Sequence, residues 1–541
     1  MSNQPFHIGL CMAGAVSAGA YTAGVMDFLT EALDTWEKKK TAGEKNVPRH
    51  KVQLSVMGGA SAGGMTSIIA AAAFSNTIVP VKLAAQTGRI GQQPQNKFFN
   101  AWVDLLADDM LPVMLGNGDI QSGKKASSVL NSDFIAQIAA RMVAANAADP
   151  VKRNYLADEM LLFTTMSNLE GFHYDLGFRT NTPGYSRYLT TAHNDLALFR
   201  YALHTPAYQD DGFIPLSFID NTHTDIARTA AMATGAFPLG LAARTVKRPA
   251  KFVNDARDFI NHTAKAGFVP ADQDYEACYV DGGLINNEPF DVTRRMLHRF
   301  TGESGEKKNY RDFKSTVLMI DPFPSQPASF TPNLDLLGVT GKTLSTMIGQ
   351  LRFKPDDIEA AFDPQDASRY LISPSRNRYG LPLDGEKAIA CGTMSGFGGF
   401  LHRSFRVHDY FLGRRNCQKF LKDIFTVPAS SMNPIFEEGY QEIPDTKPFL
   451  SSDGKSLQII PVFVIAEEKE PDWPVIAFSE IERYESPLKT RLEKVIFSTL
   501  DLNAFDKILG LIGSRVLIRR KMGSAVMTWV KNSLTEHELL R

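Results

Sequence analysis

The sequence predicts an α/β protein with a mostly parallel central sheet and helices on both faces. Two observations carry the prediction. Phe6 to Met12 (FHIGLCM) is a short apolar run that ends in small residues and leads, through Gly14 to Gly24, into VMDFLTEALDTW, whose apolar positions recur at helical spacing. Lys51 to Met57 (KVQLSVM) repeats the unit: a strand, the turn GGASAGG, then MTSIIAAAAF, too apolar for a surface helix. Parallel strands need a crossover between them, and two strand–turn–helix units in succession supply it.

The remaining elements follow in chain order. Helical apolar patterns between Leu83 and Lys125, broken by GRIGQQPQNK and GNGDIQSGKK, predict a helical cap inserted near 83–155. Further strands are expected at Glu159 to Thr165, Ser186 to Thr191, Phe213 to Ile219, Ala277 to Val280 and Thr316 to Ile320. The proline-bearing Asp321-Pro322-Phe323-Pro324-Ser325 marks a boundary between an α/β domain, 1–325, and a mainly helical C-terminal region, 326–541. That region holds one strand signal near 457–466, where Pro461 implies an edge or a bulge. No internal repeat or low-complexity tract stands out.

Composition narrows the class. The chain has 541 residues, 44% of them apolar and 22% charged, enough to bury a large core. Lys plus Arg is 58 and Asp plus Glu is 59, so no basic excess points to nucleic acid. Four cysteines (Cys11, Cys278, Cys391, Cys417) are scattered without a CxxC pair, which leaves a zinc ribbon unsupported and reduced thiols expected. The N-terminus lacks a basic n-region and no charge-free apolar stretch of about 20 residues occurs, so neither a signal peptide nor a transmembrane helix is expected. The expectation is a cytoplasmic protein, in peripheral contact with membrane at most.

The sharpest chemical signal is Gly59-Ala60-Ser61-Ala62-Gly63, a GxSxG between a strand and a helix. A serine on such a tight turn is exposed at a helix N-terminus, where unpaired N–H groups favour a developing alkoxide. Gly59 and Gly63 keep the turn free of bulk. The first loop, Ala13-Gly14-Ala15-Val16-Ser17-Ala18-Gly19, fits neither GxxxxGK[ST] nor GxGxxG, so phosphate and dinucleotide loops are set aside. What fits is a backbone oxyanion hole around Gly14, Ala15 and Val16. The third piece is Val280-Asp281-Gly282-Gly283: a strand delivers Asp281 to the sheet's C-terminal edge, and Gly282 and Gly283 let the chain turn sharply away.

Taken together, these segments resemble the patatin-like phospholipases, lipid acyl hydrolases with a Ser-Asp dyad on a three-layer sandwich. The order AGAVSAGAYTAGV, GASAGG, DGGLINNEPF matches the family's oxyanion loop, nucleophile turn and late DGG. Ala233-Thr234-Gly235-Ala236-Phe237-Pro238 resembles the family's helix end ahead of the dyad aspartate. The resemblance implies Ser61 as nucleophile, Asp281 as general base, no cofactor and no metal, and a phospholipid or related lipid ester as substrate. It implies a divergent subfamily. Ala15 and Val16 replace customary glycines, and Ala18 stands where a basic residue is usual. A β-branched Val16 is strained if its φ is positive.

Two alternatives are weighed against this. A Ser-His-Asp esterase would draw its base from His298, His402, His408 or His537. A catalytically silent lipid-binding scaffold would keep the fold without the chemistry. Two segments suit peripheral membrane contact: residues 392–401, with four glycines, Phe397 and Phe400, and the basic, apolar 505–531 with Trp529.

Overall fold

The computed structural model describes residues 4–83, 96–104, 107–120, 125–177, 187–256, 259–260, 270, 272–303, 309–324, 367, 369–431, 433–462, 465–499 and 523–541. Its centre is a nine-stranded sheet. Strands β1 (Phe6–Met12), β2 (Val52–Gly59), β3 (Leu156–Gly177), β4 (Arg187–Tyr201), β5 (Ile214–Leu216), β6 (Arg244–Pro249), β7 (Asp274–Asp281), β8 (Ser315–Ile320) and β9 (Arg369–Ile372) form it. The main path runs β5-β4-β3-β2-β1-β8-β9, with β7 joining β3 to β6. β9, β8, β1, β2 and β3 pair in parallel, while β4, β6 and β7 bring antiparallel edges.

Strand periodicity distributes the core over two faces. Ile8, Leu10 and Met12 of β1 point into one apolar cluster with α1 (Gly19–Thr41) and α2 (Ser61–Phe74). Cys11, Val56, Leu161, Phe163 and Val317 point into another, closed by Val292, Met296 and Leu297 of the helix Phe290–Thr301. Helices therefore cover both faces, and the α/β expectation holds.

The register decides how the two halves of the first 300 residues meet. Gly59, the last residue of β2, lies opposite Thr164 of β3. Asp281, the last residue of β7, lies opposite Met166 of the same strand. β4 occupies the other side of β3 at this level, where Met166 faces Asp195. β2 and β7 therefore share one lane beside β3 and run toward each other. Their ends stand two residues apart along β3, roughly 7 Å at strand rise.

Within the stretch expected as a cap, the helix Asp133–Val143 buries Phe134, Ile135 and Ile138 beside α2. Beyond residue 366 the chain adds to the same body. β9 extends the sheet, and the helix Arg403–Asp423 crosses α1 so closely that a Cβ on Gly24 would stand 1.9 Å from the Tyr410 carbonyl oxygen. The expected boundary at 325–326 lies outside the described residues, as does 505–522 of the basic segment.

The strand expected at 457–466 is shorter. Ser456–Gln458 pairs antiparallel with Thr426–Pro428 and then stops. Ile459 instead bonds Phe425 and His50, and Pro461 has no N–H to continue a ladder. Four more short strands, Arg369–Ile372, Ser375–Arg378, Leu381–Asp384 and Thr426–Pro428, accompany the helices here. At three or four residues each, with sequences such as SRNR, they carry no alternating signal.

His50 ties these parts together. Its Nε2 meets the Ile459 carbonyl at 2.8 Å, and its ring packs on Trp36, Phe436 and Tyr440. Burial pushes its pKa from 6.5 to about 3. A protonated ring would bury an Nδ1–H with no acceptor. The unfolded chain takes up that proton near pH 6.5 and the folded one only near 3, so this residue's stabilisation is complete above 6.5 and is lost as pH falls through that window. Urea unfolding of wild type and His50→Gln is expected to show stabilities converging from pH 6.5 toward 4; a constant gap would refute the assignment.

Candidate active site

Ser61 opens α2 directly after β2, with φ +50. The preceding residue, Ala60, is extended, so the chain folds back sharply at the serine. The turn seats against β1: a Cβ on Gly63 would stand 2.1 Å from the Met12 carbonyl oxygen, and one on Gly59 2.2 Å from it. This is the physical reason for small residues on both sides of Ser61. The Ser61 N–H donates to Thr234 Oγ1 at 2.9 Å, which fixes the turn from the helix Thr224–Thr234.

The Ser61 hydroxyl donates to Asp281 Oδ2 at 2.6 Å, across 220 positions of sequence. Both side chains are shielded from water, with residue exposures of 6% and 3%. The other carboxylate oxygen accepts the Gly283 N–H at 2.7 Å. The Asp281 backbone is held on both sides: its N–H donates to the Ala236 carbonyl, and its own carbonyl accepts from Ser167 Oγ. Gly282 lies against the Thr165 backbone, where a Cβ would come within 2.2 Å.

The first loop closes over the pair. A Cβ on Gly14 would stand 2.9 Å from Ser61 Cβ and 2.3 Å from Asn287 Oδ1. The Gly14 N–H donates to the Asn287 carbonyl at 3.3 Å. The N–H groups of Ala15 and Val16, in contrast, have no acceptor among the described residues. Val16 does adopt a positive φ, +47.

Two cavities meet at Ser61 and share Val16 and Phe237. One, about 620 Å³, is wide and mixed in character, lined by Gly14, Ala15, Asp281, Gly283, Asn287, Glu386, Ser395 and Phe397 among others. The other, about 60 Å³, is a narrow apolar slot walled by Ala62, Met65, Ile69, Trp102, Phe134, Ile138 and Phe400. The segment 392–401 thus contributes walls to both through Phe397 and Phe400. Phe397 meets Phe237 edge-on at 5.6 Å.

The histidines considered above go elsewhere. His402 caps the helix Arg403–Asp423 through Ser404, and burial lowers its pKa. His408 Nδ1 lies 2.7 Å from Asp409, whose carboxylate accepts the N–H groups of Ala390 and Cys391. His537 Nδ1 meets the Ser533 carbonyl at 2.9 Å, and His298 sits in the helix Phe290–Thr301. None of the four lines either cavity. Among the described residues no cluster of three or more His, Cys, Asp or Glu side chains could hold a metal ion, and no helix is long and apolar enough to cross a membrane. All four cysteines are free thiols.

Two positioning residues are not marked in the sequence: Thr234, which acts through its side chain, and Asn287, which acts through its backbone carbonyl. Thr234 lies in a segment matched only as a helix end, and Asn287 in the stretch NNEPF, which offers no chemistry by type alone. Their roles depend on neighbours 173 and 273 positions away.

A buried Ser–carboxylate pair thus stands on a strand–turn–helix elbow of an α/β sheet, with an apolar slot beside it. The family model for patatin-like phospholipases matches residues 10–294 of this chain, more than half its length. The chain belongs to that family, whose members are lipid acyl hydrolases. A curated relative, the uncharacterized protein y4iI of Sinorhizobium fredii (strain NBRC 101917 / NGR234), is 32% identical over 89% of this chain and 73% of its own.

Proposed function

We propose that this protein cleaves carboxylic esters of phospholipids or related lipids through an acyl-Ser61 intermediate. The observation that carries the reading is the 2.6 Å hydrogen bond from Ser61 Oγ to Asp281 between two largely buried residues at the wall of a cavity. Asp281 Oδ2 accepts the hydroxyl proton as Oγ attacks the ester carbonyl. The unspent N–H groups of Ala15 and Val16 stabilise the oxyanion, while Gly14 contributes chiefly by lacking a side chain that would strike Ser61. The proton then passes from Asp281 to the departing alcohol, and water, activated by the same carboxylate, releases the fatty acid and restores Ser61. The narrow slot suits an acyl chain, and the wide cavity suits the alcohol portion with its head group.

The rim supports delivery from a lipid surface. Leu239 is 83% exposed with φ +65, and Phe237 is 39% exposed; both line the wide cavity. The N–H groups of Val129 and Leu130 hold the carbonyls of Leu239 and Gly240, which pins this loop in its unfavourable backbone state. Leu239→Asp is expected to lower turnover of vesicle-borne phospholipid about tenfold while sparing a soluble short-chain ester. Equal losses on both substrates would remove the interfacial role.

Incubation with a fluorophosphonate probe tests the central reading. Covalent labelling of Ser61, lost in Ser61→Ala, is the expected result. An unlabelled protein, under conditions that label a control serine hydrolase, would instead favour the silent scaffold.

A further inference from the structure

We propose that Ser17 is a positioning residue for the oxyanion loop, and that the C-terminal segment 392–401 holds that loop in its working shape. The inference rests on the hydrolase reading and adds a component to it. Val16, which lines both cavities beside Ser61 and whose N–H, like that of Ala15, has no acceptor among the described residues, sits at φ +47. A β-branched residue disfavours that backbone state and relaxes out of it unless its neighbours forbid the change. Ala15 and Ala18 have no side-chain polar group to do so.

Ser17 does. Its N–H donates to the Gly396 carbonyl at 3.0 Å, its hydroxyl donates to the same oxygen, and its Oγ accepts the Gly399 N–H at 2.9 Å. One side chain therefore ties the residue after Val16 to a segment about 380 positions away. Ser17 is fully buried and lines neither cavity, so it has no access to substrate.

The receiving segment is itself held in an unusual form. Met394, Ser395 and Gly396 carry φ values of +55, +55 and +93 in succession. This turn aims the Gly396 carbonyl at Ser17, and Gly396 is packed so close that a Cβ there would stand 3.3 Å from Val16 Cβ. Its base is anchored from the helix Arg403–Asp423: Asp409 accepts the N–H groups of Ala390 and Cys391, and the buried Arg406 donates to the Gly399 carbonyl at 2.6 Å. From the outside, Ser533 Oγ meets the Met394 N–H at 2.9 Å and Thr393 Oγ1 at 2.6 Å. Two backbone segments in disfavoured conformations thus brace each other through Ser17. Release of the brace lets Val16 rotate and turns its N–H away from the oxyanion.

The test compares wild type, Ser17→Ala, Ser533→Ala and the double variant Val16→Gly/Ser17→Ala with a soluble ester. Loss of one oxyanion donor costs about 10²–10³ in kcat. Ser17→Ala is expected to show a kcat loss of that order, with KM changed less than about threefold, and a parallel loss of affinity for a trifluoromethyl ketone that forms a tetrahedral adduct. Ser533→Ala gives the same pattern more weakly. The double variant regains at least about tenfold of the kcat lost, because glycine holds a positive φ without a brace. General damage to the fold would not be repaired by adding a glycine. An unchanged kcat in Ser17→Ala, a loss confined to KM, or failure of the double variant to recover each overturns the brace. A wild-type protein that takes no fluorophosphonate at Ser61 overturns the hydrolase reading and the brace together, whereas normal wild-type labelling with an unaffected Ser17→Ala overturns the brace alone.

Discussion

Asp281→Asn is expected to lower ester turnover by about 10⁴-fold without unfolding the protein, a magnitude typical of disabling the base of a nucleophile–base pair. Asparagine preserves the shape of the side chain, and its carbonyl can still accept the Gly283 N–H that Asp281 Oδ1 accepts at 2.7 Å. It cannot take up the Ser61 proton, because an amide lacks the basic oxygen that the 2.6 Å hydrogen bond presents. Ser61→Ala is expected to abolish the reaction to a similar degree, and the double variant to be no worse than either single one, since the two groups act as a unit. Initial rates on a soluble ester, with circular dichroism to confirm folding, decide the matter. Retention of more than a tenth of the wild-type kcat in Asp281→Asn would require another base. The same assay on alanine variants of His402, His408 and His537 is the counterpart, and these are expected to keep kcat within a few-fold of wild type.

The largest expected loss of stability is in Arg414→Met, about 3–5 kcal/mol. Arg414 lies in the helix Arg403–Asp423, fully buried, and its guanidinium reaches Asp27 and Glu31 of α1 at 2.5 Å each and Glu468 at 2.6 Å. Burial alone would lower its pKa; the carboxylates, Asp27 foremost, outweigh it and push the value up. Removing the cation leaves Asp27 buried, its charge met by neutral donors such as the Asn96 amide and the Val81 N–H. Lys82 still pairs with Glu31 and Glu468, but from a half-exposed position. Urea unfolding should show a lower midpoint, with Asp27→Asn in the Arg414→Met background recovering part of the loss. A change under 1 kcal/mol would mean that water or rearrangement reaches these carboxylates. The same helix carries Asp409 and Arg406, which bond the segment that meets Ser17.

These two experiments probe features that differ in how they are written into the chain. Ser61 and its elbow are legible because the constraint is local. A strand must turn into a helix within five residues against the Met12 carbonyl, and only small residues fit. Asp281 is legible for a related reason, since Gly282 must lie on the Thr165 backbone. β1 and β2 are legible because buried parallel strands are apolar on both faces. Residues 369–384 carry no such mark: their strands are short and polar, and they pair because β8 and a hairpin partner already stand beside them.

The sequence by itself determined the class of fold and marked the Gly59–Gly63 turn and the Asp281-Gly282 turn, since each imposes a steric rule on adjacent residues. Only the tertiary structure decided what those residues meet. Residue type does not reveal that β2 and β7 run end to end beside β3. Nor does it reveal that Thr234 and Asn287 seat the elbow and the first loop, or that a serine beside a strained valine bonds a carbonyl 379 positions away. The physical reason is range. Steric exclusion acts between neighbours and leaves a pattern in consecutive letters, whereas a hydrogen bond or ion pair between distant segments asks only for one polar atom at each end, and many sequences supply that.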